Sequence, residues 1–227
     1  MTGGSSPERP RVKICCIGSV GEAAAAVRHG AAALGLVSSM PSGPGVISEA
    51  LIAEIAATVP PGVASFMLTS LQDGREIIAQ QRRCRTNTIQ ICDRLEDRAY
   101  HRLRAELPGI ALVQVIHVTG PESVDEAVEV ADAVDAILLD SGNQTLRIKE
   151  LGGTGRTHDW RLSRRIREAV RVPVFLAGGL NAHNVGEAIA AVRPFGLDLC
   201  GGVRTGGLLD QTKLEAFMDA VAMAPST

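Results

Sequence analysis

The 227-residue sequence is short of aromatics, of long apolar runs and of excess charge, and each shortage removes a class of function. Only six aromatics are present, four Phe with Tyr100 and Trp160, too few to stack nucleobases on a surface. Lys and Arg number 23 against 25 for Asp and Glu, so a formal charge of −2 gives no whole-protein pull on nucleic acid. No apolar run approaches the roughly 18 residues that a membrane-spanning helix needs. The five cysteines, Cys15, Cys16, Cys84, Cys92 and Cys200, are odd in number and lack a paired zinc spacing. Adjacent Cys15 and Cys16 suit neither a routine disulfide nor a metal clip. The histidines, His29, His101, His117, His158 and His183, contain no HxxxH or HxH, so no metal site is expected. Residues 1–11 are polar, rich in Gly, Ser and Pro, and lack the apolar core of a signal peptide. They read as a disordered tail, and a reducing cytoplasm is the simple setting. Neither nucleic acid nor membrane is expected as a partner, and nothing in the sequence fixes an oligomeric state.

What is present is ordinary globular composition, 45% hydrophobic and 21% charged, with a regular alternation. Short β-like apolar runs are expected at Val12–Cys15, Ala33–Val37, Val63–Leu68, Thr88–Ile91, Ala111–Ile116, Ala136–Leu139, Val174–Ala177 and Leu197–Leu199. Helical patterns follow each of them, at Gly21–His29, Ser48–Thr58, Gln72–Arg83, Leu95–Leu107, Glu122–Ala131, Trp160–Val170, Ala182–Val192 and Lys213–Ala222. Ser19 with Glu22 has capping-box spacing, Ser48 can cap the second helix, and Pro121 suits a first turn. Such alternation predicts parallel strands joined by right-handed crossovers. An open dinucleotide-binding sheet would carry GxGxxG after its first strand, where this chain has Cys15-Cys16-Ile17-Gly18-Ser19. Glycine pairs instead follow strands seven and eight, the usual phosphate cradle of a barrel. The expected architecture is α/β, a single-domain (β/α)8 TIM barrel over residues 12–222, with a short tail at 223–227.

The glycine pairs are the most specific local signal. Gly178-Gly179 and Gly201-Gly202 let backbone approach a phosphate closely and offer N–H donors. Tight turns without a ligand would explain one pair more easily than two at adjacent strand ends. Gly152, Gly153, Thr154 and Gly155 lie in a long loop after strand six, suited to a substrate wall or to a solvated excursion. Asp140 ends an apolar run at the barrel mouth, where partial desolvation suits a general acid; a turn cap is the bland alternative. Cys15 ends strand one at the same mouth, although a strand-end cysteine is more often a small apolar filler. Alternation puts Lys13 and Cys15 on the inner face, and a buried Lys13 needs a partner, for which Asp198 is the natural candidate. His117, just past strand five, is the only histidine expected at the rim.

In order along the chain stand Val12-Lys13-Ile14-Cys15, Ile89-Gln90-Ile91, Leu138-Leu139-Asp140-Ser141, Gly152-Gly153-Thr154-Gly155, His158-Asp159-Trp160, Leu176-Ala177-Gly178-Gly179-Leu180-Asn181 and Gly201-Gly202-Val203. With these motifs the chain resembles the phosphoribosylanthranilate isomerases from about Val12 to Val221. The resemblance implies an aldose–ketose isomerase performing an Amadori rearrangement in tryptophan biosynthesis, without metal or organic cofactor, on a small phosphorylated sugar-amine. It also implies Cys15 as general base and Asp140 as general acid.

Departures from the family pattern gather away from the phosphate end. Gly45, in Ser42-Gly43-Pro44-Gly45-Val46, stands where the family carries an arginine suited to grip the anthranilate carboxylate. Cys92-Asp93 replaces His-Gly, Cys16 replaces Gly, His117 replaces Arg, and Arg204 replaces Glu. The expectation is weakened binding of the anthranilate end, restored by Gly45→Arg or compensated by Arg204. Three readings follow: an isomerase of the family type, a paralogue acting on another phosphosugar amine, and a non-catalytic phosphometabolite-binding barrel. Retention of Cys15 and Asp140 disfavours the last.

Overall fold

The computed structural model describes residues 9–95, 98–143, 145–146 and 148–224. Most of the expected tail, residues 1–8, and the terminal residues 225–227 lie outside them. Each short apolar run forms a strand: β1 Arg11–Ile14, β2 Ala33–Val37, β3 Ala64–Thr69, β4 Thr88–Ile91, β5 Ala111–His117, β6 Ala136–Asp140, β7 Val174–Leu176 and β8 Gly196–Leu199. The helices between them are α1 Val20–Arg28, α2 Glu49–Ala56, α3 Gly74–Cys84, α4 Ala99–Glu106, α5 Glu122–Ala131, α6 Trp160–Ala169, α7 Val185–Val192 and α8 Gln211–Met223. The eight strands pair in parallel in sequence order, and β8 pairs with β1 to close the barrel. The barrel elements thus run from Arg11 to Met223, one residue beyond the expected limits at each end.

Caps set several helix starts. Ser19 Oγ accepts from Glu22 N at 3.1 Å, and Ser48 Oγ accepts from Leu51 N at 3.2 Å. The seventh helix begins later than expected. Asn181–Asn184 forms a turn closed by Asn184 Oδ1 accepting from Asn181 N at 2.9 Å, and α7 opens only at Val185. A feature without a sequence forecast follows β8: a single 3-10 turn, Gly201–Val203, then a hairpin of β9 Arg204–Thr205 and β10 Leu208–Leu209 around Gly206-Gly207. Both hairpin glycines have positive φ, which side-chain-bearing residues rarely adopt.

Strand alternation divides the core in two. Ile14, Leu34, Leu36, Met67, Ile89, Ile91, Leu139 and Leu197 point outward under the helices and are almost fully buried. Ala33, Phe66, Leu68, Val113, Leu138 and Phe175 fill the barrel interior, with Phe66 and Phe175 edge to face at 6.0 Å. Into this interior the chain also puts Lys13, with no solvent exposure. Register pairs Lys13 with Asp198 across the β1–β8 seam, and the side chains meet at 2.8 Å, as the alternation forecasts. The Lys13 ammonium also lies 5.3 Å from the centre of the Phe66 ring. Burial opposes its charge, but the Asp198 carboxylate, and after it Cys15, outweigh burial and hold Lys13 protonated.

A buried pair of this kind is costly to break from one side. Lys13→Met strands the Asp198 charge and is expected to lower unfolding free energy by about 3–5 kcal/mol. Urea unfolding of that variant beside Lys13→Met/Asp198→Leu checks this, with the double substitution less destabilised than the single one.

Candidate active site

The C-terminal ends of the strands surround a cavity of about 280 Å³. Its wall includes Cys15 and Cys16 after β1, Gln90 of β4, Asp140 at the end of β6, Gly178-Gly179 after β7 and Gly201-Gly202 after β8. The loop residues Gly152, Gly153, Thr154 and Gly155 form another side, so all ten residues singled out from the sequence face one space. Strand pairing brings Cys15 there: its N–H donates to Leu199 O at 2.8 Å, one step above the Lys13–Asp198 pair. Gly35 of β2 makes room beside it, since a Cβ there would lie 2.7 Å from Cys15 Sγ and 2.9 Å from Lys13 Nζ.

Asp140 is nearly buried, and its Oδ1 accepts from Ser141 N at 2.7 Å. Ser141 Oγ in turn meets Thr154 Oγ1 at 2.6 Å, which folds the glycine-rich loop back over β6. The same loop touches the one after β2: Ser42 Oγ donates to Lys149 O at 2.6 Å. His158 holds the far end of the loop through Nε2 and Ser163 Oγ at 2.7 Å; burial lowers the pKa of its ring, against the pull of Asp140 and Asp159.

The glycine pairs present backbone donors. Gly178 and Gly179 have φ of +84° and +63°, and a Cβ on Gly179 would lie 2.9 Å from the Arg156–Thr157 backbone. The Gly179 carbonyl accepts from the Asn181 and Asn184 amides at 3.2 and 3.0 Å. The N–H groups of Gly178, Gly179, Gly201 and Gly202 donate to no acceptor among the described residues. Unpaired N–H groups on residues without a Cβ are donors of the kind that anions use.

Gln90 was not singled out as a site residue by sequence reasoning. It is 3% exposed, lines the cavity, and its Oε1 has no donor among the described residues. Alternation along β4, which turns the single polar residue between Ile89 and Ile91 inward, is the signal that finds it.

His117 is at the rim as expected, ending β5 beside Asp140, but it is buried outside the cavity lining, and its Nε2 meets Cys92 O at 3.1 Å. Two expectations are corrected. Gly45 is no vacant place for an arginine. Its φ is +80°, and a Cβ would lie 2.5 Å from Cys16 Cβ. Cys16 occupies that room because its own φ of +62° turns it inward beside Cys15, at a backbone cost of about 1–2 kcal/mol for a residue with a Cβ. Arg204, finally, does not reach toward the amine end. Its guanidinium donates to Glu22 at 3.2 Å, to Cys15 O at 3.2 Å, to Gly207 O at 2.9 Å and to Cys16 O.

That guanidinium joins the end of β1, the start of α1 and the β9–β10 hairpin. Glu22 completes the joint by accepting from Leu209 N and Gly18 N, each at 2.9 Å. Partial burial opposes its ionisation, but Arg204 and the two N–H donors hold its carboxyl below the usual carboxylate range. The folded state therefore binds fewer protons than the unfolded chain. Its contribution is full above the unfolded value of about 4.3 and is lost as pH falls through the folded one. The stability gap between wild type and Glu22→Gln is expected to be widest near neutral pH and to shrink below about pH 4, as followed by urea unfolding across pH.

Comparison with known proteins agrees with this arrangement. The family model for N-(5'-phosphoribosyl)anthranilate (PRA) isomerase matches residues 12–220. The N-(5'-phosphoribosyl)anthranilate isomerase of Methanocella arvoryzae is 35% identical over 193 residues, covering 85% of this chain and 88% of that one. Isomerase 2 of Methanosarcina mazei is 33% identical over 92% of each. Among solved structures, the enzyme from Thermotoga maritima superposes with a TM-score of 0.79 at 28% identity, over 94% of this chain and 98% of that one. A phosphoribosyl anthranilate isomerase in complex with reduced 1-(o-carboxyphenylamino)-1-deoxyribulose 5-phosphate gives 0.76 at 26%, with the same coverage. This barrel, with its mouth of paired glycines, belongs to the N-(5'-phosphoribosyl)anthranilate isomerase family.

Proposed function

We propose that the protein isomerises N-(5'-phosphoribosyl)anthranilate, an aminoaldose, to its aminoketose in tryptophan biosynthesis, with Cys15 as general base and Asp140 as general acid. One observation carries this reading: a thiol, a nearly buried carboxyl and two glycine pairs with free N–H groups line the same 280 Å³ cavity. The phosphate lies between Gly178-Gly179 and Gly201-Gly202. Asp140 protonates the furanose ring oxygen, opening the ring to a Schiff base. Cys15, as thiolate, takes the proton from C2, and the enolamine that results tautomerises to the ketose. Gly152, Gly153, Thr154 and Gly155 wall the substrate from water, and Gln90 Oε1 accepts from a sugar hydroxyl or the amine N–H. The aromatic ring rests against Val37, Met40, Leu68 and Leu151.

A second reading, that the amine half differs from anthranilate, is favoured by the amine end itself. No cationic side chain lines the cavity among the described residues, and Gly45 has no space for one. The substrate's fluorescence, lost on isomerisation, separates the two: turnover supports the first, and none with Cys15 and Asp140 intact supports the second.

If the roles are right, Cys15→Ser and Asp140→Asn each lower kcat by about 10²–10⁴-fold in that assay while the far-ultraviolet circular dichroism stays unchanged. The expected benefit of Gly45→Arg is also revised. Alone, it collides with Cys16 and raises KM; paired with Cys16→Gly, it supplies a guanidinium and lowers KM by about tenfold or more. Steady-state kinetics of wild type, single and double variants check this.

A further inference from the structure

The opposite end of the barrel, where β1, β7 and β8 begin, holds a second cavity of about 460 Å³. Five arginines line it, Arg9, Arg11, Arg167, Arg171 and Arg193, together with Phe195. Three stretches of chain distant in sequence converge there. Arg9 and Arg11 stand on either side of Pro10 at the entry to β1, where Arg11 N donates to Phe195 O at 3.0 Å. Arg167 lies in the last turn of α6, and Arg171 follows that helix ahead of β7. Arg193 caps the C-terminus of α7, ahead of β8.

No carboxylate lines this cavity among the described residues. Glu168 stands next to Arg167 but is engaged by Arg164 at 2.9 Å and by Arg167 at 3.4 Å. Arg167 Nε also donates to Val192 O at 3.2 Å, and the Arg11 guanidinium lies 5.5 Å from the centre of the Phe195 ring. The guanidiniums of Arg9, Arg11, Arg171 and Arg193 have no hydrogen-bond acceptor among the described residues. Helix dipoles favour cations at the ends of α6 and α7, which accounts for Arg167 and Arg193. They do not account for Arg9 and Arg11, which enter from a strand start. A chain with a formal charge of −2 thus gathers five like charges around one cavity. A cavity lined by one sign of charge concentrates ions of the other sign.

We propose that this cavity binds an oligophosphate, free or as the phosphate chain of a nucleotide. The donor set selects the class. A guanidinium presents a planar fork that meets phosphate oxygens two at a time, and it stays charged throughout the physiological pH range. One orthophosphate cannot match five guanidiniums, whereas a chain of phosphates, charged on every group, can. The volume falls within the roughly 300–1,000 Å³ of small-molecule sites. The cavity at the strand ends offers backbone N–H groups instead, so the two sites differ in place and in kind. Nothing in the proposal depends on the isomerase reading.

Isothermal titration calorimetry with sodium triphosphate, ATP and sodium orthophosphate tests it on wild type and on Gly201→Asp. A Cβ at position 201 meets nothing within 4 Å, so the new carboxylate fits there and repels anions from the strand-end cavity. In each background the second site is then weakened by Arg171→Ala with Arg193→Gly. Both arginines are exposed, and glycine suits position 193, whose φ is +53°. Triphosphate is expected to bind both wild type and Gly201→Asp, and at least about tenfold more weakly once the two arginines are gone. Orthophosphate is expected to bind at least about tenfold more weakly than triphosphate, and added salt to weaken both. ATP as tight as triphosphate, or tighter, identifies a nucleotide as the source; weaker ATP identifies free oligophosphate. Triphosphate binding weaker than about 1 mM in wild type would overturn the proposal. So would binding lost in Gly201→Asp, binding unchanged by the paired arginine substitutions, or orthophosphate held as tightly as triphosphate.

Discussion

An ammonium group sits inside the barrel with no access to water, and the surroundings of the site follow from the need to hold it there. Unpaired, the Lys13 charge would cost several kcal/mol, so β8 must bring Asp198 to it at 2.8 Å. That pairing joins the first strand to the last and sets the register that closes the barrel. It also leaves β2 without room for a side chain opposite, which is why Gly35 stands in the middle of a strand where glycine is otherwise unfavourable. One alternation above the pair comes Cys15, and directly above Asp198 come Cys200 and the Gly201-Gly202 turn. The same constraint that satisfies the buried charge therefore carries a thiol and a glycine pair to the rim.

The two ends of the cavity are made by different means. Toward β7 and β8 the wall is backbone, held by asparagine amides and by the loop segment at Arg156 and Thr157, with donors left over. Backbone donors of this kind recognise a dianion without a bulky cation and need little reorganisation when it binds. Toward β2 and β3 the wall is apolar side chain and a loop whose conformation is coupled to Cys16. Cys16 and Gly45 are complementary: the sulfur fills the place a side chain at 45 would take. The departures from the family pattern at positions 16 and 45 are thus one event in space, although 28 residues separate the atoms that touch across it, Cys16 Sγ and Pro44 O.

Much of this architecture is legible in the chain. Alternating apolar runs predict all eight strands and helices, and period-two alternation alone brings Lys13, Cys15 and Asp198 to the interior. The glycine pairs declare the rim because only a close backbone approach calls for two residues without Cβ. What the chain conceals depends on single dihedrals and long side chains. The left-handed turn at Cys16 reverses the face that alternation assigns to it. Arg204 looks available to a ligand from its position after the glycine pair, yet its reach lets it satisfy Glu22 and two strand-end carbonyls instead. His117 follows an apolar run as Asp140 does, but the Cys92 carbonyl beside it draws the ring into the wall.

The central claim is that the phosphate and the reacting carbons lie between β1, β6, β7 and β8, with the amine half toward β2 and β3. A crystal structure with reduced 1-(o-carboxyphenylamino)-1-deoxyribulose 5-phosphate tests it most directly. The account predicts the phosphate oxygens within hydrogen-bond distance of the N–H groups of Gly178, Gly179, Gly201 and Gly202. It also predicts the sugar carbons between Cys15 Sγ and the Asp140 carboxyl. A phosphate held elsewhere on the rim, or a sugar chain that meets neither side chain, would contradict it.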